Sequence, residues 1–345
     1  MTQRIRTGIA AAFGMIILIL DTKTALIGAN GGITLCITTV IPSLLPFIFI
    51  SNLLTSALAG TSSRALRFFG RYMKMPPGSE SLFIIGALGG YPTGANAVAA
   101  AYANGQLPKT DAQRLLGFCS NAGPSFLFGI TALQFPNLSS VWLLWLIHLL
   151  SAFLTGMILP GRCTQTVQMQ NTGTISAIES LRRSIRSVAQ ICGWIILFRI
   201  LITFSDRWFL WLFHDDIKVL FSGTTELSIG CVTLSKIENQ GVRFITAAAI
   251  LGFGGVCVLM QTASAVGALG IGMYLPGKII QCSISVLLAS VVQHFLYDSV
   301  ERCRISPYLL LAAFTTIIIT TFLIQKKKKA VEIRHCLLYN SLIRY

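Results

Sequence analysis

The chain carries Gly86-Ala-Leu-Gly-Gly-Tyr-Pro-Thr-Gly-Ala-Asn96 in the middle of an apolar run, and no other feature narrows its fold as much. Glycine and proline at this density break a helix and free backbone N–H and C=O groups. Hydrocarbon gives those groups no partner, so irregular backbone at membrane depth persists only where it is buried in protein or lines a wet cavity. The stretch therefore reads as a discontinuous helix or re-entrant hairpin, the device with which transporters build polar sites near the midplane.

The composition agrees with a membrane setting. Of 345 residues, 54% are hydrophobic and 11% charged, where a soluble domain carries about 25% charged residues. A bilayer crossing takes about 20 apolar residues. Segments of that kind lie at roughly 8–20 (short), 33–58, 115–134, 138–159, 187–205, 244–271, 277–297 and 306–324. The expected fold is all-α: a polytopic membrane protein of about eight transmembrane helices, with re-entrant or broken helices and an inverted repeat. Residues 1–32 read as an N-terminal membrane helix and outer loop, 33–160 and 187–300 as two membrane repeats, 161–186 as a cytoplasmic linker rich in Thr, Gln and Ser, and 301–345 as a last helix and basic cytoplasmic tail. Asp21 and Lys23 follow the first apolar run where a signal peptide would carry a small-residue cleavage site, which favours a retained helix.

The net charge of +15 is unevenly placed. With the N-terminus inside, the inner loops carry Arg4, Arg6, Arg64, Arg67, Arg71, Lys74, Lys109, Arg114, Arg182, Arg183, Arg186, Lys278 and the Lys326–Lys329 run. The outer loops mix Lys23, Arg207, Lys218, Lys236 and Arg243 with Asp21, Asp206, Asp215, Asp216, Glu226 and Glu238. That is a positive-inside bias, placing a multi-pass chain in the cell membrane with both termini cytoplasmic. It makes the bilayer the main partner and excludes a nucleic-acid reading, since no basic–aromatic module accompanies the charge. Arg64 to Lys74 places its basic residues three and four apart, as in an amphipathic helix on the cytoplasmic leaflet. The nine cysteines are dispersed without a C-x-x-C pair and the four histidines lie far apart, so no metal site, cofactor or disulfide framework is expected. No hydrolase or protease motif is present, so the chain is not expected to be an enzyme and has no candidate catalytic residue.

Polar patches at membrane depth supply the candidate site. Pro42-Ser-Leu-Leu-Pro-Phe47 puts Pro42 and Pro46 in one helix, with Ser43 at the kink. Gly89-Gly90-Tyr91-Pro92-Thr93-Gly94 continues to Asn96 where a phosphate-binding loop would need Lys and Ser/Thr. Ser120-Asn121-Ala-Gly123-Pro124-Ser125 interrupts another apolar run, reading either as an unwound polar turn or as close small-residue packing. Glu226-Leu-Ser228-Ile-Gly230 is functional if it dips into the membrane and an ordinary exposed acid if it stays in the outer loop. Gly254-Gly255 is followed by Gln261, and its glycine pair is a counterpart of Gly89-Gly90 entering from the opposite side. Arg199 reads as a snorkelling side chain, and His148 and His294 as packing residues.

In this order the motifs resemble those of sporulation integral membrane proteins of the YlbJ-like type, within the nucleoside-recognition Gate group found also in pieces of nucleoside and ferrous-iron transporters. The likeness spans roughly residues 30–300, and Ser228 stands where the family pattern usually has Thr. It implies endospore formation in a Gram-positive bacterium, around cortex assembly, with a transporter-like protein moving or gating a small polar solute. Ser43, Tyr91, Thr93, Asn96, Ser120, Asn121, Ser125, Glu226, Ser228 and Gln261 are the candidate solute contacts. Pro42, Pro46, Gly89, Gly90, Pro92, Gly94, Gly123, Pro124, Gly254 and Gly255 are the candidate hinges. The alternatives are a scaffold or assembly partner without flux, joining a second copy or other sporulation membrane proteins, and an intramembrane enzyme of envelope precursors.

Overall fold

A computed structural model describes residues 2–61, 63–161, 167 and 174–297. The expected span at 306–324, the Lys326–Lys329 run and the cytoplasmic C-terminal tail lie outside the described residues, as does most of 162–173. Every regular element among the described residues is helical. The chain is a multi-pass membrane protein: five helices, Thr22–Leu58, Leu138–Ile158, Ala177–Trp208, Gln240–Leu269 and Tyr274–Phe295, are long and apolar enough to cross a bilayer.

The N-terminal helix α1 (Thr2–Leu20) exposes Ile9, Phe13, Ile16 and Ile19. Residues 22–32, expected in an outer loop, instead begin a helix. Asp21 caps it by accepting the Thr24 N–H (3.3 Å), and α2 (Thr22–Leu35) passes through a π-helical turn, Cys36–Val40, into α3 (Ile41–Leu58). The reason is packing: α2 and α3 lie antiparallel on α10 (Ala177–Trp208), where Gly28 and Gly32 face the backbone of Ile200 and Ile196. Hydrocarbon supplies no hydrophobic drive between helices, so such backbone-to-backbone approach through small residues holds them together. The last residues of the expected linker, 177–186, are the first turns of this same helix. Ser176 caps it, and Ser180 and Ser184 bond Phe49 O (2.7 Å) and Asn52 Nδ2 (3.1 Å).

Between these long helices lie α4 (Arg64–Tyr72), then a hairpin of α5 (Ser81–Gly89) and α6 (Thr93–Ala103). An interrupted helix follows, α7 (Lys109–Cys119) and α8 (Pro124–Gly129), and then α9 (Leu138–Ile158). The same order recurs after α10: a hairpin of α11 (Asp215–Thr225) and α12 (Leu227–Thr233), an interrupted helix of α13 (Gln240–Phe253) and α14 (Gly255–Val266), and α15 (Tyr274–Val292). Segment 115–134, expected as one span, is therefore not a continuous helix.

Two arginines mark the two ends of this core. Arg114 donates to the carbonyls of Lys74 (3.0 Å), Met73 (2.6 Å), Gly156 (2.7 Å) and Leu159 (3.3 Å), while Arg243 donates to those of Ile237 (2.7 Å) and Gln134 (3.2 Å). The first interrupted helix thus runs from the Arg114 end to the Arg243 end. The second runs back, reaching Leu269, whose carbonyl accepts from Gln113 Nε2 (2.7 Å). The first hairpin enters from the Arg114 end and the second from the Arg243 end.

Helix α15 crosses α7 backbone to backbone: a Cβ added to Gly277 would lie 2.5 Å from Gly117 Cα. Gly277→Ala should therefore destabilise the fold by about 1–3 kcal/mol through overpacking, seen as a lower melting midpoint in detergent. A wild-type midpoint would show that α15 is free to move away.

Candidate functional site

The first hairpin turns at Gly90, whose φ of 68° suits glycine and strains other residues. A Cβ there would lie 2.9 Å from Gly123 N, so the tip rests on the unwound Ser120–Gly123 link of the first interrupted helix. Gly86 and Gly94 face the Cys119 carbonyl, where a Cβ on either would overlap it. The freed backbone of the link finds partners inside the protein. The Ala122 N–H donates to His148 Nε2 (3.1 Å) and Asn121 Nδ2 to Phe118 O (2.7 Å). Accepting at Nε2 requires that nitrogen to be unprotonated, so His148 serves here as a neutral acceptor that closes the break.

The second hairpin turns at Glu226, 2% exposed. Its Oε2 accepts the Ile229 N–H (2.7 Å), which makes it the N-cap of α12. Glu226 is thus buried within the protein at a hairpin tip and is not an exposed loop acid. The second interrupted helix breaks at Gly254, φ 84°. A Cβ on Gly254 would lie 2.8 Å from Tyr91 Oη, and one on Gly255 3.5 Å from Thr225 O. Both hairpin tips and both breaks therefore interlock at one place.

A cavity of about 30 Å³ lies at this junction, with Tyr91, Ser125, Glu226, Ser228 and Gln261 as its polar lining and Leu44, Ile48, Phe126, Ile191 and Val258 among the apolar walls. That is room for a water or two or a small ion, far below the roughly 300–1,000 Å³ of an organic ligand site. A second cavity of about 440 Å³ lies toward the Arg114 end, lined by Asn52, Thr55, Ser56, Thr93, Asn96, Asn104, Gln106 and Arg183. The candidate contacts are therefore divided. Tyr91, Ser125, Glu226, Ser228 and Gln261 share the central cavity, while Thr93 and Asn96 face the larger one. Ser120 and Asn121 are fully buried and line neither.

Ser43 is not among the cavity-lining residues. Its hydroxyl donates to Gly129 O (3.0 Å) and ties α3 to the end of α8. Pro42 opens α3 and Pro46 lies inside it, Pro124 opens α8, and Pro92 precedes α6. The glycine pairs are not counterparts of each other. Gly89-Gly90 forms a hairpin tip, whereas Gly254-Gly255 joins two stretches that continue in one direction; by position Gly90-Tyr91 corresponds to Glu226, and Ser120–Gly123 to Gly254.

Two charges expected in inner loops lie buried in helices α7 and α15. Lys278, expected in an inner loop, is 1% exposed inside α15, and Arg114 is 4% exposed with its carbonyl partners. Glu80 is a second buried carboxylate, accepting the Gly78 N–H (3.0 Å). Lys278 and Gln281, three apart, form with Asn121 a polar cluster that the motifs did not reveal. Its signal was present: Lys and Gln at i and i+3 in an apolar run share a helix face. Among the described residues, no three His, Cys, Asp or Glu side chains come together as a metal would require.

The capping role of Glu226 predicts a graded series. Glu226→Ala should cost about 0.5–2 kcal/mol through loss of the cap, whereas Glu226→Gln keeps an accepting oxygen and should change stability by less than about 0.5 kcal/mol. Melting of the purified variants in detergent checks this; equal losses for both would assign the carboxylate charge, not the cap, to stability.

The comparisons with known proteins agree with the membrane architecture. No family model matches the chain, and no solved structure matches it. The chain is similar to the sporulation integral membrane protein YlbJ of Bacillus subtilis (strain 168), 25% identical over 269 residues. The match takes in 65% of this chain and 66% of that protein, just under two thirds of its length. The similarity supports a sporulation-type integral membrane protein and does not reach the Gate group as such.

Proposed function

We propose that this chain is a transporter-like membrane protein of sporulating cells that moves or gates a small polar solute, and that its two halves form a Gate-like inverted repeat. One observation carries the reading: two re-entrant hairpins entering from opposite ends meet two helix breaks in a buried polar junction. Such a junction is how alternating-access proteins hold a site between two gates. The similarity to a sporulation membrane protein supports the setting. The reading assigns no chemical turnover.

In this reading the cavity of about 440 Å³ is a vestibule and the junction of about 30 Å³ a closed gate. Arg183 is the one charged side chain among the vestibule's lining residues, beside amides and hydroxyls, which suits an uncharged or anionic polar solute. The Arg114 end, with Arg64, Arg67, Arg71, Lys74, Lys109, Arg182 and Arg183, is cytoplasmic by the positive-inside rule. The Arg243 end, where Lys23, Arg207, Lys218, Lys236 and Arg243 are balanced by Asp21, Asp206, Asp215, Asp216 and Glu238, is external. The small size of the junction favours the rival reading, a scaffold that keeps this fold without flux.

Three outcomes test this. Reporter fusions at Lys109 should read cytoplasmic and at Asp215 external; the reverse inverts the assignment. A membrane-impermeant maleimide should label Asn96→Cys readily from the cytoplasmic side and Ser125→Cys only slowly. Equal rates would remove the closed gate. Proteoliposomes should take up a polar solute, and Thr93→Ala should reduce uptake at unchanged protein level. An absence of uptake across nucleosides, amino acids and wall precursors, with full complementation of sporulation by Thr93→Ala, would favour the scaffold.

A further inference from the structure

We propose that Lys278 is a tethered cation: its ammonium fills a cation-binding cradle at the first helix break, which would otherwise take a small free monovalent cation. The inference goes beyond the transport reading and does not depend on it.

The cradle is built entirely of uncharged acceptors. Lys278 Nζ lies 2.7 Å from Gln281 Oε1 and 3.5 Å from Asn121 Oδ1, and 5.3 Å and 5.8 Å from the ring centroids of Tyr91 and Tyr274. The amide oxygens have no freedom to turn away. Asn121 spends its NH2 on Phe118 O (2.7 Å), and Gln281 spends its own on Asn121 Oδ1 (3.0 Å) and His148 O (3.5 Å). Both oxygens are therefore held toward the amine by donors that point elsewhere. Among the described residues, no ion pair involves Lys278.

Taking an ammonium out of water is unfavourable, and only a fixed set of acceptors offsets it. Amide oxygens and tyrosine faces offset it for an ammonium through hydrogen bonds and ring quadrupoles. They would do the same for methylammonium or potassium, because nothing in the set is specific to a tethered amine. The location gives the cation a role. Asn121 belongs to the unwound link and Tyr91 to the hairpin tip resting on it, so one positive charge faces both elements of the junction. With the charge supplied by the chain, the first break needs no free cation to hold its geometry.

The test is cation-dependent melting of the full chain in detergent. Lys278→Ala vacates the cradle, and methylammonium chloride should raise its midpoint saturably by about 3 °C. The wild type should not respond, and neither should Lys278→Ala combined with Asn121→Leu and Gln281→Leu. Equal shifts in all three proteins, or no shift in Lys278→Ala, would overturn the proposal. Should Lys278→Ala not fold, a second pair decides. Asn121→Leu/Gln281→Leu removes both amide acceptors from the ammonium and should lower the yield of monodisperse protein, and adding Lys278→Met should restore it. If the methionine gives no recovery, the amine is not held there as a cation.

Discussion

The structure depends on how backbone groups freed at helix breaks find partners away from water. In hydrocarbon an unpaired N–H or C=O costs several kcal/mol, so a chain that breaks two helices at membrane depth must surround each break with protein. At the first break, His148 takes the Ala122 N–H, Asn121 turns its amide onto Phe118, and Gly90 of the hairpin tip lies against Gly123. At the second, Tyr91 covers Gly254, and Gly255 lies under the turn at Thr225. The hairpins are thus the covering that allows the breaks to exist as well as polar elements in their own right.

That requirement explains the distribution of small residues. Gly86 and Gly94 admit the Cys119 carbonyl, Gly117 and Gly277 let α7 and α15 touch, and Gly28 and Gly32 seat α2 on α10. Elsewhere the helices present Leu, Ile and Phe outward, as on α1 and on the outer side of α10, where Leu197 and Leu201 are exposed. With lipid as the solvent, apolar surface need not be buried, and close packing is kept for positions where backbone must meet backbone.

The polar groups fall into three regions with different physical characters. The larger cavity is wide and rich in amides, the junction is nearly closed around Glu226, and the Lys278 cluster is sealed. Tyr91 belongs to two of them, lining the junction and offering its ring face to Lys278. A shift of the first hairpin would therefore alter the junction cavity and the buried charge together.

The sequence alone marked three of the places where regular backbone fails. Gly89-Gly90, Ser120–Pro124 and Gly254-Gly255 are breakers in apolar runs, and the structure breaks helices at each. It also determined that the chain is a helical membrane protein, because apolar length and sparse charge leave few alternatives. Only the tertiary structure decided what each break does. A glycine pair reads the same whether the chain turns back, as at Gly90, or continues, as at Gly254, since direction depends on which helix receives the next segment. Likewise, spacing could pair Lys278 with Gln281 on one face but could not bring Asn121 and Tyr91 to that face. Those contacts join positions more than 150 residues apart, and they arise where Gly277 lets α15 reach the backbone of α7.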